Sequence, residues 1–187
     1  MKVWLLVLVL GLACCQASGP ALAAKPAAPE PARSDVSARN AVDKGWTYFD
    51  RGDLRRALRL FHQAAQAVPT FAPAYFGQAF VYSRQQRWDL AETNYLKTLE
   101  LDPDFAEAYG NLAVVYWSQG KAPQAAPFVR RSLELAPQDP MVHENAAYYY
   151  FAVANYQASW RHLEQARKLG ARPDPAFVRD LRAKMSN

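Results

Sequence analysis

The sequence predicts an all-α solenoid in which four helical hairpins of equal length stack side by side and one further helix closes the C-terminal end. Three observations carry this prediction. The 187-residue chain holds only 8 glycines and is rich in alanine, leucine and tyrosine, a balance that favours helices over strands and turns. It comes into register with itself at a shift of 34 residues. Prolines recur at one place in the first three periods, Pro69, Pro103 and Pro137, where each stops a helix for want of an amide hydrogen.

The first segment speaks of location. Lys2 precedes an apolar stretch from Val3 to Cys15, too short for a stable bilayer span and well matched to the core of a signal peptide. Ala21-Leu22-Ala23 supplies a small-residue processing site, so residues 1–23 are expected to be removed by cleavage after Ala23, with Ala17 as a second position. Both cysteines lie in this segment, and Leu12-Ala13-Cys14-Cys15 partly matches a lipoprotein signal, which makes Cys14 and Cys15 alternative lipidation sites. With Cys15 as target the preceding residue is Cys14 rather than glycine or alanine; with Cys14, Gly11 replaces the usual leucine. A mature chain cut after Ala23 has no thiol and therefore no disulfide or cysteine chemistry. Residues 24–37, including Lys25-Pro26-Ala27-Ala28-Pro29-Glu30-Pro31, cannot bury enough apolar surface to offset ordering and read as a flexible spacer.

The repeats follow at residues 38–71, 72–105, 106–139 and 140–173. Tyr48, Tyr82, Tyr116 and Tyr150 are preceded three residues earlier by Gly45, Ala79, Ala113 and Ala147. In the second helix of each unit, Ala57, Ala91, Ala125 or Ser159 is followed by Phe61, Tyr95, Val129 or Leu163, and then by Ala64, Thr98, Ser132 or Ala166. Spacings of three and four put each set on one helix face. Small residues let the two axes approach, and the larger ones fill the space beside them. Gly52 and Gly120 mark turns between helices. Pro127, in the second helix of the third unit, removes a donor where intrahelical bonding has begun and predicts a late start or a kink. After Gly170, the pair Asp174-Pro175 signals a final helix over residues 174–187, with a Phe177, Leu181, Met185 stripe inward and Arg179, Arg182 and Lys184 outward.

This pattern of period, small residues, aromatics and closing prolines resembles the tetratricopeptide repeat (TPR) family. The resemblance implies a right-handed superhelical solenoid whose first helices line a concave face that takes extended peptides or partner helices. Carried over position by position, it implies a groove formed by Val42, Trp46, Phe49, Asp50, Phe76, Phe80, Arg84, Asn111, Val114, Trp117, Asn145, Tyr148 and Phe151. That groove is aromatic. Trp46, Phe80, Trp117 and Phe151 fall off the face that the helical core requires, which leaves either an exposed binding surface or packing against the spacer or terminal helix. Asn111 and Asn145 are equivalent and suited to the backbone of an extended ligand. Val42 and Trp46 stand where the TPR subclass that grips acidic chaperone tails has a lysine and an asparagine, so that activity is not expected.

Enzyme chemistry finds no foothold in the sequence. His62, His143 and His162 lack metal-ligand spacing, no nucleotide or nucleophile motif is present, and no cofactor or metal is expected. The formal charge of +5 comes from arginines scattered over outer helix faces, such as Arg55, Arg56, Arg59, Arg130 and Arg131, which reads as solvation rather than a nucleic-acid site. The expectation is an exported, periplasmic or outer-membrane-associated scaffold that binds a protein or peptide in assembling an envelope complex. The alternative is a lipid-tethered accessory that acts by self-association.

Overall fold

The computed structural model describes residues 33–186, and the expected signal segment, both cysteines and most of the spacer lie outside them. Nine helices are present among the described residues: α1 (Arg33–Asp50), α2 (Leu54–Ala67), α3 (Ala72–Arg84), α4 (Trp88–Leu101), α5 (Ala106–Ser118), α6 (Ala122–Leu135), α7 (Pro140–Ala152), α8 (Tyr156–Lys168) and α9 (Pro175–Met185). No described helix is long and apolar enough to cross a membrane. They form an all-α repeat solenoid. α1 pairs with α2, α3 with α4, α5 with α6 and α7 with α8, and each hairpin then packs on the next.

The repeated small and large positions build the core. Ala57, Ala91, Ala125 and Ser159 are solvent-free, as are Phe61, Tyr95 and Leu163, with Val129 nearly so. The buried hydroxyls at the serine positions are satisfied: Ser132 Oγ donates to the Ala106 carbonyl at 2.8 Å and Ser159 Oγ to the Ala147 carbonyl at 2.7 Å. Of the repeated tyrosines Tyr82 lies in the core, and the other three pack against it with their edges open. Tyr48, Tyr116 and Tyr150 are half-buried, and cations cover the first three rings of the set: Arg56 over Tyr48, Arg87 over Tyr82 and Lys121 over Tyr116.

Each hairpin turns by one device. Gly52, Gln86, Gly120 and Ala154, spaced 34 residues apart, all have positive φ, from 58° to 77°. The residue after each donates back to the tyrosine carbonyl at 2.8–2.9 Å, as in Asp53 N to Tyr48 O and Lys121 N to Tyr116 O, which satisfies a helix-end acceptor and stops the first helix. Asp53, Asn155 and Asp174 then cap α2, α8 and α9 by accepting from backbone amides in their first turns.

Three expectations are corrected. α1 begins at Arg33, so residues 33–37 are helical rather than spacer, and with them the helix reaches one turn beyond the fully buried Ala38. α6 begins at Ala122 and runs through Pro127 without interruption, so no late start occurs. Pro123 occupies an N-terminal position that needs no amide hydrogen, and the exposed Pro127 forfeits the one bond its missing amide would have made. In α9, Phe177, Val178 and Leu181 are buried, but Met185, the last residue of the helix, is 44% exposed, and Arg182, expected outward, lies over the Trp160 ring of α8 at 5.4 Å.

Candidate functional site

The first helices of the hairpins touch one another in sequence, α1 on α3, α3 on α5 and α5 on α7, whereas the second helices make no comparable contact among themselves. The first-helix layer is therefore the tighter one, the inner face of the stack. Thirteen residues were expected to line it, and they fall into three groups.

In the first two repeats the aromatics converge. The Trp46 ring lies 5.7 Å from Phe49, 5.9 Å from Phe76 and 5.4 Å from Phe80, centroid to centroid, and Phe49 lies 5.1 Å from Phe80. These are edge-on and tilted contacts, the arrangement that ring quadrupoles favour. All four rings remain half-buried, so the cluster presents apolar surface to solvent. It is also rooted in the core, since Trp46 meets Phe61 at 5.1 Å and Phe76 meets Tyr95 at 5.8 Å. Asp50 and Arg84, one turn beyond Trp46 and Phe80, are exposed at its edge. Val42 does not join it: at 6% exposure it belongs to the core between α1, α2 and α3, because the close approach of these helices covers that position.

In the third repeat Val114 and Trp117 are half-buried, and Trp117 makes no aromatic pair among the described residues. Asn111 spends its Nδ2 on its own helix, donating to the Glu107 carbonyl at 2.8 Å. Asn145 differs from it. Its amide leans over Gly110 of α5, where a β-carbon would come within 2.9 Å of Nδ2, so this side chain fills the seam between α5 and α7.

In the fourth repeat the terminal helix covers the expected groove residues. Tyr148 lies 4.2 Å and Phe151 5.3 Å from the Phe177 ring of α9. Beside them Glu144 is pushed above the usual carboxylate range by burial and by the Asp174 carboxylate, and the Tyr148 phenol is raised by burial and then by the charges of Glu144 and Asp174. The open part of the inner face therefore runs from repeat one to repeat three, with an acidic border at repeat four.

Two independent profiles of the tetratricopeptide repeat match the sequence, one over residues 76–140 and one over residues 41–63. The chain is a tetratricopeptide-repeat protein. No curated protein matches it in sequence. Among solved structures it is similar to the thermophilic TPR protein TTC0263 of Thermus thermophilus, with 19% identity over 79% of this chain and 82% of that one at a TM-score of 0.72. It is similar to the Cut9–Hcn1 hetero-tetramer of APC/C, with 20% identity, coverage of 80% and 30%, and a TM-score of 0.71. The first TPR domain of Spaghetti (RPAP3), solved with the HSP90 peptide SRMEEVD, matches at 22% identity, coverage of 64% and 95%, and a TM-score of 0.59. At these identities the likeness concerns the TPR fold.

A pair that sequence spacing concealed lies at the base of the fourth TPR. His143 and His162, 19 residues apart, approach to 3.0 Å between their Nδ1 atoms, and the Tyr150 ring stacks on His162. No set of three histidine, cysteine or carboxylate side chains among the described residues is placed to hold a metal ion.

Proposed function

We propose that this TPR protein is a non-enzymatic interaction scaffold that holds a peptide or partner helix along its inner face, and that it does so after export, in the assembly of an envelope complex. The observation that carries the proposal is the half-buried cluster of Trp46, Phe49, Phe76 and Phe80, rooted in the core and partly open to solvent. Trp46 and Phe76 also pack on the core, but four large rings gathered at the edge of the inner face leave more apolar surface there than the helix pairing itself requires, and such surface marks interaction sites. Aromatic anchors with few rotamers are also the side chains that dominate binding energy at interfaces. The Spaghetti domain, which holds a peptide, and Cut9, which assembles with Hcn1, support the same use of the fold.

The test compares capture of partners by the wild-type protein, by a Phe80→Ala/Trp117→Ala variant and by an outer-face Arg130→Ala control, with circular dichroism confirming the fold of each. A partner held by the wild type and the control but lost by the double variant supports the inner face. Equal capture by all three removes it. Export is tested separately by mass spectrometry of the N-terminus from cells: cleavage after Ala23 or an acylated cysteine supports it, and an intact Met1 end on the whole population overturns it.

A further inference from the structure

We propose that the partner of this inner face is a segment bearing an apolar anchor followed by basic residues, bound with its anchor on the repeat-one and repeat-two aromatics and its cations toward repeat four. The inference rests on the inner-face reading above and deepens it. Its basis is the way charge is divided along the face. In the first two repeats the charges around the aromatic cluster balance, with Arg39 and Arg84 against Asp43 and Asp50, all exposed. In the last two repeats they do not. Glu107 and Glu144 sit on the first helices, Asp174 stands beside Glu144, and no lysine or arginine lies on α5 or α7.

This asymmetry has a physical consequence. An acidic peptide laid along the face would bring its carboxylates toward Glu107, Glu144 and Asp174, and like charges in partly desolvated contact repel. A lysine or arginine there does the opposite. The Asp174 carboxylate already disfavours the charge on Glu144, the second cause after burial that raises it, and a cation between the two carboxylates removes that repulsion while completing the ion pair. The Tyr148 ring, covered by Phe177, walls the two carboxylates on the inner side and keeps them partly out of water. The chemistry is thus opposite to that suited to an acidic tail such as SRMEEVD, the peptide in the Spaghetti structure.

Geometry adds a spacing. Packed helices stand about 8–10 Å apart, so the step from α3, which carries Phe76 and Phe80, through α5 to α7, which carries Glu144, is about 20 Å. An extended chain covers about 3.3–3.6 Å per residue. An anchor on Phe80 therefore places a cation at Glu144 when about six residues separate the two, and at Glu107 when about three do.

The experiment selects peptides from a random 12-residue library on the full chain, then measures each selected peptide by fluorescence polarisation against wild type, Phe80→Ala and Glu107→Gln/Glu144→Gln. The expected result is enrichment of a large apolar residue with lysine or arginine three to six positions away. Binding should be lost in Phe80→Ala and weakened about tenfold in the double glutamine variant, the scale of two partly exposed ion pairs, with wild-type affinity falling as salt rises. Enrichment of acidic sequences, or peptides lost by Phe80→Ala yet bound equally by the glutamine variant, overturns the charge inference and leaves the inner-face reading standing. Peptides indifferent to Phe80→Ala, or no enrichment at all, overturn both.

Discussion

The Nδ1 atoms of His143 and His162 face each other across 3.0 Å, while Nε2 of His143 lies 3.0 Å from the carbonyl oxygen of Pro137. A carbonyl only accepts, so Nε2 of His143 carries a hydrogen and its Nδ1, in the neutral ring, offers a lone pair to an N–H on His162 Nδ1. Burial, then the neighbouring His143 and Arg161, holds His162 down to about 4. A base depressed in the folded state binds fewer protons there than when unfolded. Its stabilising contribution is therefore complete above its unfolded value near 6.5 and is lost as pH falls toward 4. Melting between pH 7 and pH 4 should show a loss of about 1–2 kcal/mol from this site, discounted for screening at a partly exposed ring. His162→Asn keeps an amide donor near the Nδ1 position without titrating. It should flatten most of the slope, with a remainder from His62, which burial also lowers. An unchanged slope in that variant would count against the pair.

The Phe61 ring fixes how closely α1 and α3 can meet. A β-carbon on Gly77 would lie 2.4 Å from the ring and one on Gly45 2.6 Å, both well inside contact distance. The ring is fully buried and has nowhere to go. Gly77→Ala should cost about 1–3 kcal/mol in denaturant unfolding, overpacking outweighing the helix propensity gained. Gly110 is the control. Its nearest neighbours are the Asn145 amide at 2.9 Å and the Ser132 hydroxyl at 3.2 Å, ends of side chains rather than a ring held on all sides, so Gly110→Ala should cost less than Gly77→Ala. Equal losses at the two positions would show that the rigidity of Phe61 is not the cause.

How far the sequence could be read follows from which contacts repeat. Ala57, Phe61 and Ala64 and their equivalents are local in each hairpin and recur at 34 residues, so their burial is legible in the periodicity alone. Contacts made once are not. Val42 has the pattern of a groove residue because its helix face is shared with Trp46, and only the approach of α1 to α3 shows that it is covered. Tyr148 and Phe151 lose their openness to Phe177, whose helix has no counterpart in the period to announce where it would lie. The histidine pair has a spacing of 19 residues, which is a hairpin distance rather than a ligand motif.

That terminal helix should matter for both stability and solubility. Phe177 is 8% exposed and covers Tyr148 and Phe151, while Leu181 beneath it is fully buried. Phe177→Ala should cost about 3 kcal/mol, the scale of a large buried aromatic removed. Deleting residues 174–187 should do more than lower the melting temperature, since it uncovers a contiguous apolar face on the last hairpin. Sedimentation velocity should then show concentration-dependent self-association of the truncated protein that the whole chain lacks. A monodisperse truncated protein with wild-type melting would assign α9 no capping role.

The hairpin turns offer the cleanest test of backbone energetics, because the left-handed position is held by glycine in two repeats and by Gln86 and Ala154, both at φ 58°, in the other two. At Gly52 and Gly120 a β-carbon would meet nothing within 4 Å, so any cost of substitution there is conformational rather than steric packing. Left-handed backbone costs a residue with a β-carbon about 1–2 kcal/mol, and glycine returns roughly half of that advantage through its freer unfolded chain. Gln86→Gly and Ala154→Gly should therefore each stabilise by about 0.5–1 kcal/mol, and Gly52→Ala and Gly120→Ala should destabilise by a similar amount. Both native side chains are exposed, so little packing is lost on their removal. The Gln86→Gly and Ala154→Gly effects should add in combination, because those two turns lie two repeats apart. Chemical denaturation of the singles and of the Gln86→Gly/Ala154→Gly double variant measures this directly. A double variant no more stable than wild type would mean that the left-handed turns carry no strain.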